Sequence, residues 1–212
     1  MATGKFVSHI TGFATLFGVG LIKNKISAAI GILTVPIFFL FGSFIAGLLV
    51  DRPLFKNEKP RFDIVMGLSS TCLILSALGG NLIHFANFGI ISDLKENYVL
   101  LVLLCLASGL QNGAITSSSG SSVRTTHLTG LTTDLGLGLS RMISFGSKDE
   151  IINNELRANY LRIGSILAFV GGSAIGAFVF LQFGYFGFLL PAFISAYAAL
   201  YGRNSKISPR RF

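Results

Sequence analysis

Two histidines, each set in a threonine- and glycine-rich stretch, are the side chains best suited to chemistry in this sequence. His127 heads His127-Leu-Thr129-Gly130-Leu-Thr132-Thr133-Asp134, with Arg124 three residues before it. His9 heads a shorter relative, His9-Ile-Thr11-Gly12-Phe-Ala-Thr15. A shift of 118 positions superposes His9 on His127, Thr11 on Thr129, Gly12 on Gly130 and Thr15 on Thr133. The same shift pairs Gly18 with Gly136, Gly20 with Gly138 and Lys23 with Arg141. One offset shared by so many unlike residue types indicates an internal duplication.

Imidazole changes charge near neutrality, and at membrane depth it tends to mark a substrate path or proton relay. The plainer reading is a neutral His that locks the local fold through a carbonyl and the Thr hydroxyls. Those hydroxyls suit a polar solute or an ion, yet Thr also bonds back to its own helix. Asp134 suits a cation or proton, with Arg124 tuning it or holding an anion; alternatively both sit in the membrane interface. Leu16 stands at the place of Asp134 in the first copy, so a charged site would belong to the second. Gly12 and Gly130 allow close packing or an unwound turn. Asn112 and Gln111 end an apolar run, where they would bond across helices or face a cavity. The candidate binding set is therefore His9, Thr11, Gly12, Thr15, Asn112, Arg124, His127, Thr129, Gly130, Thr133 and Asp134.

Other chemistries find less. Two histidines with no third ligand at suitable spacing do not predict a metal. Gly18-Val-Gly20 and Gly136-Leu-Gly138 lack the strand and third glycine of a phosphate loop. No nucleophile–base pair or pair of carboxylates at catalytic spacing is visible, so neither an enzyme nor a cofactor is expected.

The elements holding these residues are apolar. The chain has 212 residues, 51% hydrophobic and only 12% charged, and its mean hydropathy is +0.70. Soluble domains carry about 25% charge. Ile26–Val50, Asn97–Val123 and Ile163–Gly202 hold no charge, and Ile64–Leu94 holds only Asp93. About 20 apolar residues cross the hydrocarbon as helix, and backbone groups there must be satisfied internally. A polytopic all-α transmembrane bundle follows. The net charge of +8 sits in loops, where the positive-inside bias and anionic lipid headgroups account for it without nucleic acid. Cys72 and Cys105 fall in apolar runs and act as small hydrophobes. The N-terminus does not read as a signal peptide, since His9, Thr11 and Gly12 interrupt its apolar part.

In chain order, the first motif has only a short apolar part. Spans are then expected at Ala28–Val50, with Pro36 kinking it, at Asp63–Ile83 and at Tyr98–Ala114. Gly42, Ala46 and Gly47 offer a small-residue face. The Ser117–Ser122 tract would let irregular backbone line a cavity before the second motif. Arg141–Arg162 reads as a polar connector. Ile163–Gln182 and Phe186–Tyr201 read as a tight hairpin turning near Gly184. Gly42–Gly47 has a counterpart in Gly171–Gly176.

One transmembrane domain thus covers residues 1–212, with pseudo-repeats over about 1–83 and 97–202 and a basic cytoplasmic tail at 203–212. The first repeat lacks a counterpart of Tyr98–Ala114, which would lie upstream of Met1. If each motif dips in and returns, only Lys5, Lys23, Lys25 and Lys95 of the 17 basic residues fall on the outer side. That bias favours broken or re-entrant motifs over crossing ones. Three spans per complete repeat then invert the second half relative to the first.

Phe6-Val-Ser-His-Ile-Thr-Gly12, Gly109-Leu-Gln-Asn-Gly113 and Val123-Arg-Thr-Thr-His-Leu-Thr-Gly130, with Thr133-Asp134-Leu-Gly136, resemble the YoaK-like bacterial membrane proteins. This is a domain family of unknown function with about six predicted spans. The resemblance covers nearly the whole chain and implies a helical fold and an inner-membrane address. Phe13 stands where family members tend to carry Asn, and their usual helix before the first motif has no match here. The functional expectation is a small transporter or channel-like permease for a small polar solute or ion. The alternative is a non-transporting scaffold or assembly protein whose polar motifs are packing devices. Membrane lipid is an expected partner, and self-association into a homo-oligomer is left open.

Overall fold

A computed structural model of the chain describes residues 10–23, 26–82, 94–119, 128–144 and 149–204. Among these residues all regular structure is helical. The uncharged runs become the long helices because a helix satisfies its own backbone where no water is available. The first motif forms α1 (Ile10–Ile22), and α2 follows at Ile26–Ala46. α2 continues through Pro36 into a π-helical turn, Gly47–Asp51, where the Arg52 N–H reaches back to the Gly47 carbonyl. A single further turn, α3 (Arg52–Phe55), stops at Asn57, which adopts φ of 56°. Asn is among the few non-glycine residues that take this left-handed stop readily. The Arg61 N–H then donates to the Leu49 carbonyl at 2.8 Å, tying the next helix to the π turn. Arg61 also grips Asp63 with two bonds of 3.1 Å.

α4 (Phe62–Leu82), α5 (Leu94–Ser118) and α8 (Leu189–Asn204) complete the bundle, with α5 lying between α2 and α4, and α8 against α4. α2 and α5 run parallel: Val35 clusters with Leu101 and Cys105, and Val50 with Leu110 and Ala114. Glycine sets their separation. A Cβ on Gly42 would meet Leu106 O at 2.5 Å, one on Gly109 would overlap Phe39 O, and one on Gly113 would meet the Ala46 Cβ at 2.7 Å. Gly47 faces open space, so the small-residue face is Gly42 and Ala46 without it.

Serines fasten the same seams, as small polar residues do between helices in lipid. Ser43 Oγ donates to Gly109 O (3.1 Å), Ser69 Oγ to Ala107 O (3.3 Å) and Ser70 Oγ to Ala192 O (2.9 Å). Gly80 provides the seat for the Tyr185 ring, which a Cβ would overlap.

Two expectations about the second half change. The Arg141–Arg162 connector is largely helix: α6 spans Leu128–Ser144 and α7 runs from Asp149 to Phe183. The polar residues sit on these helices, where Arg141 of α6 reaches Glu155 of α7 and Arg162 bonds Glu155 and Asn159. The chain does turn at Gly184 (φ 53°) through a 3-10 turn, Gly184–Phe188. It does not form a tight hairpin, because α7 does not pack along α8. Among the described residues, apart from α6, α7 packs only at its last turn, where Phe180 and Phe188 stack edge to face with centroids 4.8 Å apart. No residue of Ile163–Phe183 is buried.

Candidate functional site

The two motif stretches both form helix where they are described. α6 begins 118 residues after α1, at Leu128 against Ile10. Each packs on the helix that follows it, α1 on α2 and α6 on α7. The side chain turned inward is Phe13 in α1 and its 118-shifted partner Leu131 in α6, exposed by 2% and 4%. On the opposite edge Thr15 Oγ1 donates to Thr11 O at 3.1 Å, and Thr133 Oγ1 donates to Thr129 O at 2.9 Å. Thr11, Thr15, Thr129, Gly130, Thr133 and Asp134 are all exposed, and Gly12 is half-buried. Among the described residues Asp134 has no ion-pair partner.

Both motif helices are continuous where they are described, with Gly18, Gly20, Gly136 and Gly138 inside regular α-helix. The unwound turn that the glycine spacing suggested is absent from these stretches. His9, Arg124 and His127 lie outside the described residues, as do residues 120–122 of the serine tract. Nor are the two Thr edges packed together in the chain. Asn112 is separate from both: it is buried on α5, one residue from Gln111, whose Nε2 donates to Ser195 Oγ at 2.9 Å.

A polar clasp fixes α6 on α7. Arg162 Nη1 donates to Glu155 Oε1 (2.7 Å) and to Asn159 Oδ1 (2.6 Å), and Arg141 of α6 reaches Glu155 Oε2 at 3.3 Å. Asn159 Nδ2 touches the Met142 sulfur at 3.3 Å. Glu155 and Arg162 are each 16% exposed, whereas Arg141 is 50% exposed. The shielded Glu155–Arg162 bond therefore holds the cluster, since exposed pairs contribute little. Gly138 is the notch that admits it: a Cβ there would overlap Asn159 Oδ1 and meet Arg162 Nη1 and Glu155 Oε1 at 2.6 Å. α6 ends at Ser144 and α7 begins at Asp149, and α7 packs back along α6 with Asn159 beside Gly138, so the two helices are antiparallel.

Sequence reasoning read this cluster as loop charge. Its signal was present, because Glu155, Asn159 and Arg162 sit four and three residues apart, on one helix face. The serine bonds were missed as well; Ser43, Ser69, Ser70 and Ser195 stand out only as hydroxyls within uncharged runs.

Among the described residues, four apolar helical stretches are long enough to cross a bilayer, Ile30–Phe55, Phe62–Leu82, Tyr98–Ser118 and Ile152–Arg203. Together with serine bonds and glycine contacts between helices, they define an all-helical membrane protein. The chain belongs to the family described as protein of unknown function (DUF1275), whose model matches residues 1–201. That agrees with the resemblance carried by the motifs. No curated protein and no solved structure matches the chain.

Proposed function

We propose that this is a multi-pass inner-membrane permease, a small non-enzymatic transporter or channel-like protein for a small polar solute or a cation. One observation carries the reading: α6 is clasped antiparallel to α7 with its Thr129, Thr133 and Asp134 edge turned outward. Arg141, Glu155, Arg157 and Arg162 gather where the uncharged stretch of α7 begins, as charges do at a membrane interface. Taking the clasp as that boundary, seven residues of helix carry Asp134 about 10 Å inward and twelve carry Thr129 about 18 Å inward. A carboxylate and hydroxyls at such depth need water or protein around them. A wet path along this edge meets that need, and the hydroxyls can exchange their own-helix bonds for a solute. The duplication supports an inverted repeat with a second hydroxyl edge, Thr11 and Thr15, on α1. Asp134 gives the second copy the cation or proton preference, because Leu16 stands in its place in the first.

A scaffold reading draws on a different observation: the Thr edges do not pack together in the chain, and the interior hydroxyls and amide bond neighbouring helices. Flux separates the two. Purified protein in liposomes is tested for vesicle swelling with urea, glycerol and glycine, and with a pH-sensitive dye for proton and alkali-cation movement. Permeability above protein-free vesicles is expected for at least one probe, cut at least tenfold by Asp134→Asn for a cation or by Thr129→Val with Thr133→Val for a neutral solute. No flux with any probe leaves the scaffold reading standing.

A further inference from the structure

We propose that the site is completed by a second copy of the chain. The Thr129, Thr133 and Asp134 edge of α6 in one protomer lies against the Thr11 and Thr15 edge of α1 in its partner. The inference rests on the reading that these edges lie at membrane depth. Lipid tails can cover the bare apolar length of α7 and the Thr133 hydroxyl, which bonds to its own helix, but they offer nothing to the Asp134 carboxylate. The occupant must therefore bring hydrogen-bonding groups to the same level in the membrane. α1 carries such a surface and leaves it exposed, with Thr11 and Thr15 built as Thr129 and Thr133 are.

Direction also fits. α2 runs parallel to α5 and opposite to α4, while α8 runs opposite to α4: Ser70 bonds Ala192 near the start of α8, and Gly202 near its end lies beside Phe62. If α7 crosses opposite to α8 and α1 returns opposite to α2, then α6 and α1 point in opposite senses across the membrane. Two protomers of the same orientation can thus bring the edges together hydroxyl to hydroxyl. A two-fold arrangement uses the contact twice, α6 on the partner's α1 and α1 on the partner's α6, and closes without a third copy. Among the described residues the two edges do not pack together within one chain, since there α7 joins the bundle only at its last turn.

Disulfide trapping tests this in liposomes, with Cys72→Ala and Cys105→Ala as background. One tagged population carries Thr15→Cys and a second, differently tagged, carries Thr129→Cys, the pair that opposite helix senses set face to face. Oxidation of the co-expressed mixture is expected to give a dimer-sized band carrying both tags, reversed by reductant and absent when Gly47→Cys replaces Thr15→Cys. A chain carrying both Thr15→Cys and Thr129→Cys reports the alternative. Cross-linking at monomer mobility means that the edges meet within one chain and overturns the proposal, as does a complete lack of cross-links in protein that elutes normally on gel filtration. Flux is read separately in vesicles of the unsubstituted chain, so flux there without intermolecular cross-links in the variants sinks the dimeric site alone. Absence of flux from the unsubstituted chain, with cross-links formed in the variants, sinks the permease reading alone.

Discussion

Gly138 and Gly136 are two residues apart on one helix, yet their surroundings differ completely. The first is filled by the heads of Asn159, Arg162 and Glu155, and the second faces open space. Gly138→Val should therefore push the clasp apart and cost about 1–3 kcal/mol, as overpacking does. It should lower the thermal midpoint in detergent. Gly136→Ala should be neutral or stabilise by up to about 1 kcal/mol through helix propensity. Equal effects of the two would remove the clasp as the device that docks α6. Glu155→Gln should weaken the same contact, because it replaces by neutral bonds the charge-assisted one that crosses from Arg141 of α6 and the one from Arg162 that holds the Glu155 head in place on α7. A loss of about 1–2 kcal/mol is expected in the same melting assay. The sequence revealed the motif residues but not the clasp. Its members are divided between α6 and α7, and the local charge count resembled that of a solvated connector.

At the scale of elements, the helices were legible because twenty uncharged residues admit little else. Their pairing was not. In water the apolar side of a helix marks the core, but in lipid both sides are apolar, and the inward side is marked only by glycine and serine. Ser43, Gly109 and Gly113 form such a mark, and so does Gly80 beneath Tyr185. Gly42 and Gly47 look alike in sequence, yet only Gly42 touches α5. Gly109→Leu should part α2 from α5, at a cost of at least about 2 kcal/mol, whereas Gly47→Leu should be tolerated. A comparison of their yields and melting curves checks this directly. The open angle between α7 and α8 had no sequence signal, since Gly184 serves a closed hairpin as well as a splayed one.

Across the whole molecule, the chain divides into a bundle of α1, α2, α4, α5 and α8 and an arm of α6 and α7. Each part carries one of the two motif helices, α1 in the bundle and α6 in the arm. α8 belongs to the bundle although almost the whole arm separates it from α5 in the chain. Its Ala192 carbonyl accepts from Ser70 and its Ser195 hydroxyl accepts from Gln111. Manufacture of the protein feels this ordering. While the ribosome is still threading the arm, α4 and α5 already sit in lipid with Ser70 and Gln111 lacking these partners. Assembly can finish only after the last helix emerges, so the nascent intermediate is the form that quality-control proteases and insertion chaperones would meet.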